Sequence, residues 1–107
     1  MRNALIVLTV TVIVAIGLHT LQILVWAVSY LILLPEGGLQ TLEEALYFSF
    51  ITFTSLGYGD ITLDVGWRLL SGIEALSGIL LLGWTTALIF AVVQRTWQAA
   101  NKKDNKQ

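Results

Sequence analysis

Two glycines one residue apart, with a small hydroxyl residue before them and an acid directly after, mark the stretch of this chain with chemistry to offer. It reads Thr52-Phe53-Thr54-Ser55-Leu56-Gly57-Tyr58-Gly59-Asp60. Gly57 and Gly59 take positive φ at no steric cost, so the backbone can alternate handedness and turn successive carbonyls to the same side. Such a strip of carbonyls, repeated around a symmetry axis, replaces the water shell of a dehydrated cation. Gly-rich loops also cradle phosphates, but those want a Lys or Ser/Thr just after the glycines, opening a helix; here Asp60-Ile61 follows. The remaining reading of an isolated G-Y-G-D is a plain surface turn, and the flanking sequence argues against that.

The stretch lies between two long apolar segments. Ala4 to Leu34 contains no Asp, Glu, Lys or Arg. As a helix it would run about 46 Å at 1.5 Å per residue, more than a hydrocarbon core of ~30 Å, so it spans with tilt or projects past one face. Arg2 ahead of an apolar run suggests a signal peptide, but this run is about twice the length of such a core. Trp26 and Tyr30 near its far end suit an aromatic belt at the membrane–water interface. Pro35-Glu36-Gly37-Gly38 then breaks the helix. Thr41 with Glu44 three residues on fits a capping box, opening a short helix to about Phe53 that is too short to cross and reads as re-entrant. Its C-terminal end, carrying roughly half a negative charge, would point towards the ion path and favour a cation. Ile61 to Gly66 returns outward, and the last long segment runs from Trp67 to about Trp97, followed by the polar residues 98–107.

Composition sets the class. Hydrophobic residues make up 56% and charged ones 12%, against roughly 45–50% and 25% in soluble domains, and the length allows one domain at most. No basic patch with interleaved aromatics exists, which argues against nucleic acid as a partner. The absence of cysteine excludes disulfides, thiolate catalysis and cysteine-bound zinc. A single His with no paired Ser/His/Asp arrangement argues against an enzyme. Arg2 at one end, and Arg95 with three lysines at the other, contrast with five acids and only Arg68 between Pro35 and Arg68. The positive-inside rule therefore puts both termini in the cytoplasm and opens the Gly-rich stretch outward.

With these flanks, T-x-T-S-L-G-Y-G-D resembles the selectivity-filter signature of potassium channels, usually written T-x-T-T-V-G-Y-G-D, and the chain resembles the minimal two-transmembrane, one-pore-loop members of that family. Potassium channels are the type example of carbonyl coordination in a filter. The resemblance implies an all-α membrane protein: an outer helix (4–34), a pore helix (41–53), a selectivity filter (54–60), an inner helix (67–97) and a cytoplasmic tail (98–107). By it, Ser55, Leu56, Gly57 and Tyr58 give K+-coordinating carbonyls, the Ser55 hydroxyl closes the innermost site, Gly59 forms the outer mouth, and Thr54 and Asp60 support the filter. Two departures, Ser55 for Thr and Leu56 for Val, leave the G-Y-G core untouched. Many relatives carry on the pore helix a Glu that supports the filter Asp; the matching position here is Ile51, and Tyr47, where many relatives have Trp, is the substitute partner for Asp60.

One chain cannot enclose a pore, because a lone filter strand in the membrane would leave backbone groups unsatisfied. Four copies around an axis solve this, so a homotetramer in the cell membrane is expected, with lipid and K+ as its other partners and no cofactor beyond the permeant ion. The inner helix would line the cavity. Gly78 falls where this family commonly has its hinge glycine, and Gly78 and Gly83 alternatively serve close helix packing. The i, i+4 row Gly78, Leu82, Thr86, Phe90 is the expected pore-facing stripe, with lipid-facing or core apolar surface as its alternative, and Phe90 would then narrow the cytoplasmic end as a gate that works by dewetting. His19 and Gln22 are expected to meet the last helix near Thr85 or Thr86, His19 in a structural or a pH-sensing role. Glu74 is expected against Trp26, Tyr30 or Ser29, or behind the filter. The function expected is passive, potassium-selective conduction. The alternatives are a weakly selective cation channel, suggested by Ser55, Leu56 and Ile51, and a non-conducting membrane subunit.

Overall fold

The computed structural model describes residues 2–35 and 38–106. Among them there are three α-helices and no strand: α1 (Arg2–Leu33), α2 (Leu42–Phe53) and α3 (Arg68–Asn105), the last entered through a 3-10 turn at Val65–Trp67. Glu36 and Gly37, the middle of the expected helix-breaking turn, lie outside the described residues. The described helix α1 ends at Leu33, two residues ahead of Pro35, as the steric demand of proline on its predecessor requires.

α1 and α3 are each long and apolar enough to cross a bilayer. At 1.5 Å per residue, 32 and 38 residues correspond to about 48 and 57 Å, so both project beyond a hydrocarbon core of ~30 Å. The polar segment after Trp97 is not a separate tail: α3 carries straight on through it to Asn105. Gln98, Ala99, Ala100, Lys102 and Lys103 are good helix formers, and the two lysines lie in the last turn, where the helix dipole favours cations.

α2 starts where its caps direct. Thr41 is extended (φ −120°, ψ 158°) and its hydroxyl accepts the Glu44 amide at 3.1 Å. The reciprocal bond differs from a standard capping box: the Glu44 carboxylate takes the amide of Gln40 at 3.0 Å, one residue before the cap. One more backbone donor at the entry to the helix is satisfied either way.

The core forms where α2 folds back over the far ends of the two long helices. Ala27, Tyr30 and Leu34 of the α1 end, Ala45 and Phe48 of α2, and Leu39 and Leu63 of the connections are buried together. Tyr30 is therefore not a lipid-facing belt residue. Its ring is 1% exposed and meets Phe48 edge-on at 5.5 Å and Trp26 at 5.8 Å, because the re-entrant helix covers the face on which it lies. Away from this core, the halves of α1 and α3 near the termini leave Leu5, Ile13, Trp84 and Trp97 largely exposed. Apolar surface of that extent belongs against lipid or neighbouring protein.

Candidate functional site

The Gly-rich stretch is bound to α2 through its first residues. The last carbonyls of a helix need partners, and residues 54–57 supply them. The Thr54 amide donates to Phe50 O at 3.2 Å, the Ser55 amide to Thr52 O at 3.0 Å and the Gly57 amide to Ile51 O at 3.1 Å. The Thr54 hydroxyl adds a bond of 2.6 Å to Phe50 O. Ile51 thus contributes through its backbone, although its side chain cannot do what an acid would do there.

Beyond the cap the backbone alternates. Ser55 (φ 62°), Gly57 (φ 61°) and Gly59 (φ 79°) have positive φ, whereas Leu56 and Tyr58 between them do not. Reversal of handedness at every second residue turns successive carbonyls to one side, which is the geometry a carbonyl-lined ion path needs. The glycines adopt it freely. Ser55 does not: a residue with a Cβ in the left-handed region carries a strain of order 1–2 kcal/mol, and strain of this kind concentrates at functional sites. The glycine pattern alone pointed to positions 57 and 59. The third reversal was not legible, because serine has no local preference for it.

The far end of the stretch is held by Tyr47, whose Oη donates to Asp60 Oδ2 at 2.7 Å. This is the contact the sequence assigned to Tyr47. The charge-assisted hydrogen bond to Asp60 holds the Tyr47 phenol above its ordinary pKa, so it remains a donor at neutral pH. The stretch is consequently fixed at both ends to one helix, by backbone at Ser55 and Gly57 and by side chain at Asp60. Its remaining side chains are turned away from the chain's own core: Leu56 is 55% and Tyr58 68% exposed.

α3 packs against α2 at two positions one turn apart. Gly78 is buried against the backbone of Phe53, where a Cβ would overlap the Phe53 carbonyl oxygen and come within 2.7 Å of its carbon. Glu74 is buried beside Ser49 of α2 and Tyr30 of α1. Of the two roles considered for Gly78, close packing is the one visible here, and α3 is helical without interruption through both Gly78 and Gly83. Gly83 has nothing within 4 Å of where its Cβ would be.

Along the expected stripe, exposure on the single chain rises away from α2: Gly78 is buried, Leu82 half-buried, and Thr86 and Phe90 exposed. Four residues overshoot a 3.6-residue turn by about 40°, so an i, i+4 row winds around a straight helix. Further towards the termini, His19 joins all three helices. Its Nδ1 lies 2.8 Å from Gln22 Oε1 and its Nε2 2.7 Å from Thr85 Oγ1, and its ring is 6.1 Å from that of Phe53. An amide oxygen only accepts, so in the neutral ring Nδ1 carries the hydrogen and Thr85 donates to Nε2. Thr86 instead donates to Leu82 O.

Two membrane-length helices flanking a capped half-length helix and an alternating-φ strand define the pore domain of a channel. In agreement, the profile of the family described as Ion channel matches residues 5–95, and the chain belongs to that family. Its two membrane-length helices and this family membership make it a membrane protein of the ion channel class. Neither a search of curated proteins nor one of solved structures found a match.

Proposed function

We propose that this chain is the subunit of a homotetrameric, potassium-selective channel of the cell membrane, with both termini cytoplasmic. The observation that carries the reading is the alternation of φ at Ser55, Gly57 and Gly59 directly after a helix whose last carbonyls those residues cap. Four such strands around an axis present the carbonyls of Ser55, Leu56, Gly57 and Tyr58 in successive rings, and K+ exchanges its water shell for them. Ions in neighbouring rings repel one another onward, so conduction is passive. Leu56 and Tyr58, exposed on the single chain, are then covered by the neighbouring copies. Thr54 holds the inner end of the filter to the pore helix, while Tyr47 and Asp60 hold its outer end near Gly59. Thr86 and Phe90, on the free side of α3, face the inner cavity, with Phe90 at its cytoplasmic constriction.

Ion flux from liposomes containing only the purified chain tests this. Flux under a potassium gradient but not a sodium gradient is the expected result. Equal flux in both would make the protein a general cation pore. If neither ion moves, and Phe90→Ala does not open the path, the conducting role is refuted and a non-conducting subunit remains.

A further inference from the structure

Glu74, Tyr30 and Ser49 come from three different helices and are buried at 0%, 1% and 0% exposure. The carboxyl group lies beside both hydroxyls, yet Tyr30 Oη, Ser49 Oγ and both Glu74 oxygens have no hydrogen-bond partner. Four buried polar atoms without partners are costly, and three groups that each lack a partner and adjoin one another have a common solution. Ser49 is telling in another way. The other helical serines each donate to a carbonyl of their own helix, Ser29 to Val25, Ser71 to Arg68 and Ser77 to Glu74. Ser49 makes no such bond, so its hydroxyl remains available to α3.

The position of this cluster matters. Glu74 and Gly78 are one turn apart on α3 and meet Ser49 and Phe53, one turn apart on α2. Phe53 is followed immediately by the cap that anchors Ser55 and Gly57. Whatever fixes Ser49 against α3 therefore fixes the register of the segment from which the filter departs.

We infer that Glu74 is a positioning residue for the filter: its carboxyl group accepts hydrogen bonds from Tyr30 and Ser49 and so clasps α1 and α3 to the pore helix behind residues 54–60. The inference rests on reading those residues as the filter. Among the described residues no lysine, arginine or histidine pairs with either Glu74 oxygen, and an uncompensated charge inside a membrane protein is the costly alternative. The clasp therefore requires an acceptor oxygen of the right reach and no charge, so the amide of a Glu74→Gln variant should serve.

The test compares wild type with Glu74→Ala, Glu74→Gln, Ser49→Ala and Tyr30→Phe in liposomes, reading the K+-to-Na+ flux ratio and amide hydrogen exchange over residues 48–57. Glu74→Ala strands two donors, and the ratio should fall about tenfold, with faster exchange across that segment. Glu74→Gln should stay within about twofold of wild type; packing volume alone predicts the same, so Ser49→Ala and Tyr30→Phe, which remove a donor with little change of volume, separate the two by losing part of the ratio. Adding Ser49→Ala to Glu74→Ala should cost nothing further. If Glu74→Ala does not assemble, Ser49→Ala and Tyr30→Phe carry the comparison, each with a smaller loss. A wild-type ratio and exchange pattern in Glu74→Ala would overturn the inference, as would a Glu74→Gln variant no better than alanine. If wild type itself does not discriminate K+ from Na+, the proposed function fails, and the exchange comparison still judges the clasp.

Discussion

Gly78→Ala is the sharpest test of how α3 meets the end of α2, just ahead of the proposed filter. The methyl group would come within 2.7 Å of the Phe53 carbonyl carbon and 3.0 Å of its Cα, as well as overlapping the oxygen. Carbon–carbon contacts relax only near 3.5 Å, so the end of α2 has to retreat by at least about 0.8 Å to clear that carbon, and further to clear the oxygen. The obstacle is backbone, which has no rotamer to change. It also belongs to the residue just ahead of the Thr54 and Ser55 cap bonds. Overpacking of this kind costs about 1–3 kcal/mol, whereas alanine in a helix interior otherwise gains about 0.8–1 kcal/mol over glycine. Gly83→Ala, with open space around the new methyl group within the chain, should show that gain alone. The assay is unfolding of the reconstituted protein in detergent, alongside the K+-to-Na+ flux ratio. The propensity gain is common to both variants, so Gly78→Ala should be the less stable by about 1–3 kcal/mol and should lose selectivity. Equal stability of the two variants with an unchanged flux ratio would refute the packing argument and return Gly78 to the role of a hinge.

Three further outcomes follow from the same geometry. Tyr47→Phe removes the donor to Asp60 Oδ2 without changing shape, and sustained currents should decay faster as the outer end of the filter loosens; unchanged conduction and decay would count against the pairing. Phe90→Ala replaces a ring that is 62% exposed on the single chain, so stability should barely change while flux rises, and an unaltered flux with intact selectivity would remove Phe90 from the gate. A double-mutant cycle over His19→Ala and Thr85→Val should give a coupling of about 0.6–1.7 kcal/mol, the range of hydrogen bonds between membrane helices, whereas additive losses would mean the 2.7 Å contact contributes nothing.

Much of this molecule is legible from local sequence. Uncharged apolar runs set the two spanning helices, since bilayer thickness sets how much apolar length a span needs. Thr41 and Glu44 mark the start of α2 because capping is satisfied within a few residues. Gly57 and Gly59 mark the handedness reversals because only glycine takes them without cost. What escaped the sequence involves residues whose partners lie far away along the chain. Tyr30 reads as an interfacial aromatic until α2 covers it. Ser49 reads as an unremarkable helical serine until Glu74 arrives from α3. Ser55 escaped for a different reason: serine has no local preference for a positive φ, so it reads as a conservative stand-in for threonine until its φ of 62° is seen.

The sequence by itself determined the membrane setting, the order of the helices and the stretch that can line an ion path, because hydrophobic length, caps and backbone freedom are properties of neighbouring residues. Only the tertiary structure decided which helix contacts lie behind that stretch: the contact of Gly78 with Phe53 and the burial of Glu74 beside Tyr30 and Ser49. Those depend on which helix faces meet and at what rotation, and a 3.6-residue turn commits neither until the partner helix is packed against it.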